Sequence, residues 1–240
     1  MLKLIRADLF RLFHRIYFYV LLGALAGLAV IVNIAIASVK SYAFVSFSWG
    51  FVLSFLMVPL FLMPMLSDIV FAEEYREHTL KNTVANGVNR LELYLSKTVT
   101  TVILGLLLAV VAVGAYCASS LILLGRDPQF TAQFVREFFL RVGAACTVYI
   151  AGMTLANLLA VLLKRNSLFV FVYYGAVFFT QYLFKLLRVP QLNDYLLVSQ
   201  ITVVSGKPVA QLQGALVISA ITAVVCIICG LVFFRRQNVD

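Results

Sequence analysis

The sequence predicts an all-α membrane protein: six transmembrane helices, an N-terminal amphipathic helix at the interface, and a cytoplasmic helix between spans two and three. Three observations lead there. Apolar residues make up 63% of the 240 positions and charged residues 12%, whereas soluble domains carry about 25% charge. Water cannot be the solvent for so much apolar surface, because even large soluble folds leave a substantial fraction of their chain exposed. Six stretches, near 17–37, 50–71, 98–124, 141–163, 167–187 and 212–234, reach the roughly 20 apolar residues that cross a bilayer as a helix. Runs such as VILGLLLAVVAVGAYCA lack the alternation that a membrane β-barrel strand needs. The whole of 1–240 reads as a single transmembrane domain.

Residues 1–16, MLKLIRADLFRLFHRI, gather Leu2, Ile5, Leu9, Leu12, Phe13 and Ile16 on one side of a helix and Lys3, Arg11, His14 and Arg15 on the other. That is the pattern of a helix lying in the membrane interface. The first span is longer than the core of a secretory signal and has no small-residue cleavage site after it. It carries Gly23-x-x-x-Gly27, a spacing that lets two helices approach closely in lipid, and is read as a dimer contact. Span two holds Pro59 and Pro64; each removes a backbone donor, which predicts a kink or break. Residues 125–140 form a loop into span four, and Lys164-Arg165-Asn166 a tight turn into span five. The fifth span is dense in rings, among them Phe169, Phe171, Tyr173, Tyr174, Phe178, Phe179 and Tyr182. Within 188–211 an apolar run too short to cross, bounded by Pro190 and Pro208, reads as a re-entrant or interfacial piece.

Charge sets the orientation. With both termini in the cytoplasm, Lys3, Arg6, Arg11, Arg15, Arg76, Lys81, Arg90, Lys97, Lys164, Arg165, Arg235 and Arg236 lie inside. The other seven of the 19 bases lie outside, as the positive-inside rule requires. The net charge of +9 is therefore a topology signal, and no soluble basic domain is present to bind nucleic acid. The four cysteines fall in spans; with only His14 and His78 to accompany them, they make no zinc site and imply no disulfide framework. No metal and no catalytic residue is expected. G-x-x-x-x-G-K-[ST], HExxH and GxSxG do not occur, so this chain has no P-loop, metalloprotease or nucleophile-elbow signature.

Charges at span centres would mark an ion-coupled carrier. Here only Asp68 approaches one, at the inner end of span two. Any pathway must then be apolar with scattered polar groups, for which Asn33, Asp68, Tyr173, Tyr174 and Gln181 are the candidates, and the driving force must come from another polypeptide. The segment EEYREHTLKNTVANGVNRLELYLSK, Glu73–Lys97, supplies the contact. Glu73, Glu74 and Glu77 load a helix start, with Lys81 toward its end, complementing the macrodipole. Glu77 and Lys81 are an i, i+4 pair, Gly87 is a helix stop, and Asn89 with Glu92 spells a capping signature that opens the next helix.

These residues resemble the inner loop of type-2 ATP-binding-cassette (ABC) transporter permeases, especially small six-span bacterial ones linked to peptide-antibiotic export or immunity. The matching positions are Glu74, Thr79, Lys81, Asn82, Gly87, Arg90, Tyr94 and Lys97; the family commonly has Gly where His78 stands. The resemblance implies a multi-pass permease of the bacterial cytoplasmic membrane. It would pair with itself or a related permease and be driven by two copies of a cytoplasmic ATPase that binds ATP and Mg. Glu73, Glu74, Arg76, Glu77, Thr79, Lys81, Asn82, Gly87 and Arg90 would form the coupling helix and its flank, doing no chemistry, with the N-terminal helix beside the ATPase. The expected function is ATP-driven export of an amphipathic peptide, antibiotic or lipid. The alternative is a membrane sensor or assembly subunit that docks an ATPase without moving cargo.

Overall fold

A short amphipathic helix opens the chain: α1, Leu2–Phe13, stops at His14, and extended Arg15 turns the chain into α2, Ile16–Ser38. The computed structural model describes residues 1–72, 88–163 and 168–236, and these are helical apart from short connections. After α2 come α3 (Val45–Ser54), α4 (Val58–Ser67, continued by a π turn over Asp68–Ala72), α5 (Arg90–Leu123) and α6 (Ala132–Leu163). Then follow α7 (Leu168–Tyr174), a π turn (Gly175–Phe179), α8 (Thr180–Leu186), α9 (Leu197–Gly206) and α10 (Leu212–Arg236). Among the described residues the only β feature is a bridge between Phe44 and Gly125.

Among the described residues five helices are long and apolar enough to cross a membrane; α3 with α4 makes a sixth only if the bent pair is one span. The two halves meet at 54°, with Pro59 in the first turn of α4 and Pro64 inside it, so the proline-based expectation of a break holds. Two expected boundaries need correction. α6 begins at Ala132, so 132–140 belongs to a helix and not to the loop. Ile16, assigned to the apolar face of the N-terminal helix, opens α2 and is 81% exposed.

α6 is the hub, packed on α10, α4, α5, α7 and α9. Its buried face is rich in small residues, Ala144, Ala145, Ala151, Gly152, Ala156 and Ala160, which let backbones approach where lipid gives no hydrophobic drive for helices to associate. α10 answers with a stripe spaced by three and four: Leu212, Ala215, Ser219, Ala223, Cys226, Gly230 and Phe234 are all buried. α9, ten residues long and too short to cross, inserts Leu197, Val198, Ile201 and Val204 into the core shared with α4 and α6. Arg141 Nη1 donates to the Val204 carbonyl at 2.7 Å, meeting an acceptor in the last turn of α9, where cations are favoured.

Candidate functional site

The coupling segment reaches the described structure at its two ends, the π turn after α4 and the start of α5. Glu73, Glu74, Arg76, Glu77, Thr79, Lys81, Asn82 and Gly87 lie outside the described residues, as does the Lys164–Asn166 turn. Arg90 is the first residue of α5 and half-buried. Asn89 is its N-cap, its side chain accepting from the Leu91 amide at 3.0 Å, as the capping signature predicts. Glu92 does not complete the capping box; its Oε2 instead takes the N-terminal ammonium of Met1 at 3.4 Å.

Both ends are anchored to the bundle. Phe71, 1% exposed, packs from the π turn on Tyr94, with ring centroids 5.6 Å apart, and Tyr94 packs on Phe234 of α10 at 5.7 Å. Tyr94 is fully buried, and its ring occupies the space that a side chain at Gly230 would need. One turn along α5, Lys97 Nζ donates to Asp8 Oδ1 of α1 at 2.7 Å, the two side chains being 5% and 16% exposed. α1 is thus pinned by an ion pair in a largely buried place, and its Ile5 and Leu12 are buried while Leu2 and Phe10 stay exposed. The apolar face is divided: part packs on protein, part remains open. Asp8 was missed in the sequence. Its signal was to be the lone acid among the bases of the first 16 residues.

The broken span is braced by tyrosines. Pro64 has no N–H for the Leu60 carbonyl four residues back, and its ring crowds that turn. The Tyr173 hydroxyl donates to Leu60 O at 3.1 Å, and Tyr174 to Phe61 O at 2.8 Å. At the bend itself, Tyr149 donates to Leu56 O at 2.7 Å. In lipid every such carbonyl must find a partner within the protein, so α6 and α7 hold the break open by satisfying it. Toward the π turn, Ser67 donates to Asn157 Oδ1 at 2.7 Å, joining α4 to α6.

The candidate pathway residues do not converge. Asn33 is wholly buried: Nδ2 reaches Tyr116 O at 3.0 Å and Ser119 Oγ at 2.8 Å, and Oδ1 accepts from Ser48 Oγ at 2.7 Å. It knits α2, α3 and α5. Tyr173 is buried in its bracing role, Tyr174 and Gln181 are half-buried in the fifth candidate span, and Asp68 is half-buried in the π turn. An apolar cleft of about 860 Å³ opens instead between α2, α3–α4, α5 and α6, and none of the five residues lines it. Gly23 and Gly27 are exposed, and among the described residues none comes near enough to meet a side chain there. The sequence hid the cleft because its walls are ordinary span residues. No metal-binding group of three or more His, Cys, Asp or Glu side chains occurs among the described residues.

Residues 1–182 match the family model described as ABC-2 family transporter protein. No curated protein matches the chain.

Proposed function

The chain belongs to the ABC-2 family of transporter proteins and is a membrane permease subunit of an ABC transporter; from that premise we propose that it exports an amphipathic substrate across a bacterial cytoplasmic membrane, driven by a separate ATPase. In this reading two permeases pair, with the exposed Gly23/Gly27 face as a contact, and each receives one ATPase through the segment Glu73–Gly87 and its flank at Arg90. Both termini are cytoplasmic, α3–α4 counts as one of six crossings, and α1 lies in the inner interface beside the ATPase. The chain itself is non-catalytic; ATP and Mg belong to the partner.

The observation that carries the reading is the anchoring of both ends of that segment. On one side a push at 73–87 enters α4 through Phe71. On the other it enters α5 through the Asn89 cap, and Tyr94 joins both to α10. Rigid elements that meet a defined break are the ordinary parts of a hinge. The break at residues 55–57 sits where displacement of α4 would change the angle to α3, beside the cleft.

The test is charge reversal at the segment, Glu74→Lys with Lys81→Glu, in the complex purified in mild detergent. The variant inserts normally but loses the co-purifying ATPase, or keeps it with hydrolysis uncoupled from cargo. Co-purification and hydrolysis both at wild-type levels refute the assignment. ATPase activity indifferent to every amphipathic cargo favours a docking or sensing subunit over an exporter.

A further inference from the structure

The cleft has a chemical asymmetry that identifies what fits it. Its volume, about 860 Å³, falls in the range of about 300–1,000 Å³ that holds small ligands. Its walls are apolar, and several are open to the bilayer: Leu28 is 61% exposed and Val110 70%. Of the three tyrosines in its lining, Tyr116 and Tyr149 have hydroxyls already committed, to the Ser48 carbonyl at 3.0 Å and the Leu56 carbonyl at 2.7 Å, and the third, Tyr42, stands beside the second pocket described next. A peptide backbone laid here would bring far more donors and acceptors than the walls can meet, at a cost of several kcal/mol for each one left over in an apolar medium. A hydrocarbon chain needs none.

One end of the cleft adjoins a polar pocket. Phe47 lines both, and the second pocket adds the polar Ser41, Ser46, Asp127 and Gln129 alongside Phe44 and Pro128. Asp127 Oδ2 accepts from Ser46 Oγ at 2.6 Å, while Oδ1 is buried and carries no hydrogen bond. A buried carboxylate oxygen left unmet is costly, and an ammonium donor satisfies it with a charge-assisted bond. Lys40 and Arg126, both exposed, are chain neighbours of Ser41 and Asp127 but do not line the pocket, so the acid is the charged group that the pocket itself presents. From this pocket an aromatic ladder descends the cleft wall. Tyr42 stacks on Phe47 at 4.6 Å, Phe47 on Phe51 at 6.2 Å, and Phe51 meets Phe55 at 4.8 Å, ending at the break in the second span.

A second copy of the chain is a poor occupant. At about 100° per residue, Gly23 and Gly27 lie on the side of α2 opposite Leu25, Val32 and Ile36, which line the cleft. Pairing through the glycines leaves the cleft clear. The geometry points to a binding site for an aminophospholipid-like amphiphile, its chain along the Tyr42–Phe55 ladder and its ammonium on Asp127. The site's lining includes no residue of the π turn after α4 or of the first turns of α5. That this amphiphile is also the cargo class rests on the permease reading above; that it binds does not.

The test uses the full chain in nanodiscs of mixed phosphatidylethanolamine and phosphatidylglycerol, with a photoactivatable diazirine in the acyl chain of one lipid at a time. Phosphatidylethanolamine labels peptides of the cleft wall about ten-fold above phosphatidylglycerol, the preference expected of one charge-assisted contact. Ala35→Trp, which fills an exposed position of the cleft lining, removes most of that labelling with the unfolding temperature unchanged. Asp127→Asn abolishes the headgroup preference while cleft labelling persists. Labelling spread evenly over the exposed apolar helices overturns the site, and equal labelling by both lipids overturns the headgroup assignment. Displacement of the label by a cationic amphipathic peptide, but not by excess phosphatidylethanolamine, assigns the cleft to peptide and overturns the lipid. No ATPase enters the measurement. Intact labelling with no co-purifying ATPase sinks the coupling reading alone, and scattered labelling in an ATP-hydrolysing complex sinks this one alone.

Discussion

Lys97→Met tests whether the ion pair beneath the coupling segment holds α1 in place. The pair is 2.7 Å apart, with Lys97 5% and Asp8 16% exposed, which puts it among buried pairs and not among exposed ones that contribute under about 1 kcal/mol. Removing one partner of a buried pair costs about 3–5 kcal/mol, because the other charge is left uncompensated. Asp8 retains some solvent and Oδ1 is its bonded oxygen, Oδ2 having no hydrogen bond, so the low end, about 3 kcal/mol, applies. That is on the order of a 100-fold shift in the docking equilibrium of α1. Hydrogen exchange of the α1 amides in mild detergent reads it directly as faster exchange over residues 2–13, with α6 unchanged. Lys97 makes a further interaction as well, so the double variant Asp8→Leu with Lys97→Met is needed to isolate the pair. Replacing both charges by apolar groups is close to neutral for many buried pairs, and the double variant is expected to recover most of the protection lost in either single one. A double variant whose loss equals the sum of the two singles, or singles within about 0.5 kcal/mol of wild type, refutes the ion pair as the latch.

Three further outcomes follow from the same junction and the broken span. Gly230→Ala forces the Tyr94 ring to move and lowers stability by about 1–3 kcal/mol through overpacking; a smaller side chain at Tyr94 relieves part of it, read by thermal unfolding. Tyr173→Phe leaves the Leu60 carbonyl without its donor and costs about 1–3 kcal/mol. The same change costs much less in Pro64→Ala, which restores a backbone N–H four residues on, and strict additivity of the two would refute the bracing role. Asn89→Ala removes the α5 cap at about 0.5–2 kcal/mol, visible as faster exchange of the Leu91 amide.

Much of the fold was written in local pattern. Apolar runs of bilayer length placed the candidate spans, because lipid demands that length irrespective of what packs around it. Pro59 and Pro64 marked the break, because a missing N–H acts on its own turn. Asn89 marked the start of α5 for the same local reason, though Glu92 turned to Met1 instead of back to its cap. The early start of α6 at Ala132 was missed, since charged and aromatic residues at 134–141 hid a helix that extends beyond its apolar portion.

The roles of isolated polar and small residues were decided by tertiary structure. Asn33 and Tyr173 look alike in sequence as polar groups in apolar spans, and each turned out to be spoken for by a distant helix, α5 in one case and α4 in the other. Asp8 meets Lys97 across 89 residues of chain, and Gly230 matters because the Tyr94 ring comes to rest against it. Periodicity reports which face of a helix avoids water. Inside a bilayer nearly every face does, so the partner of each polar atom is fixed only when helices far apart in the chain are brought together.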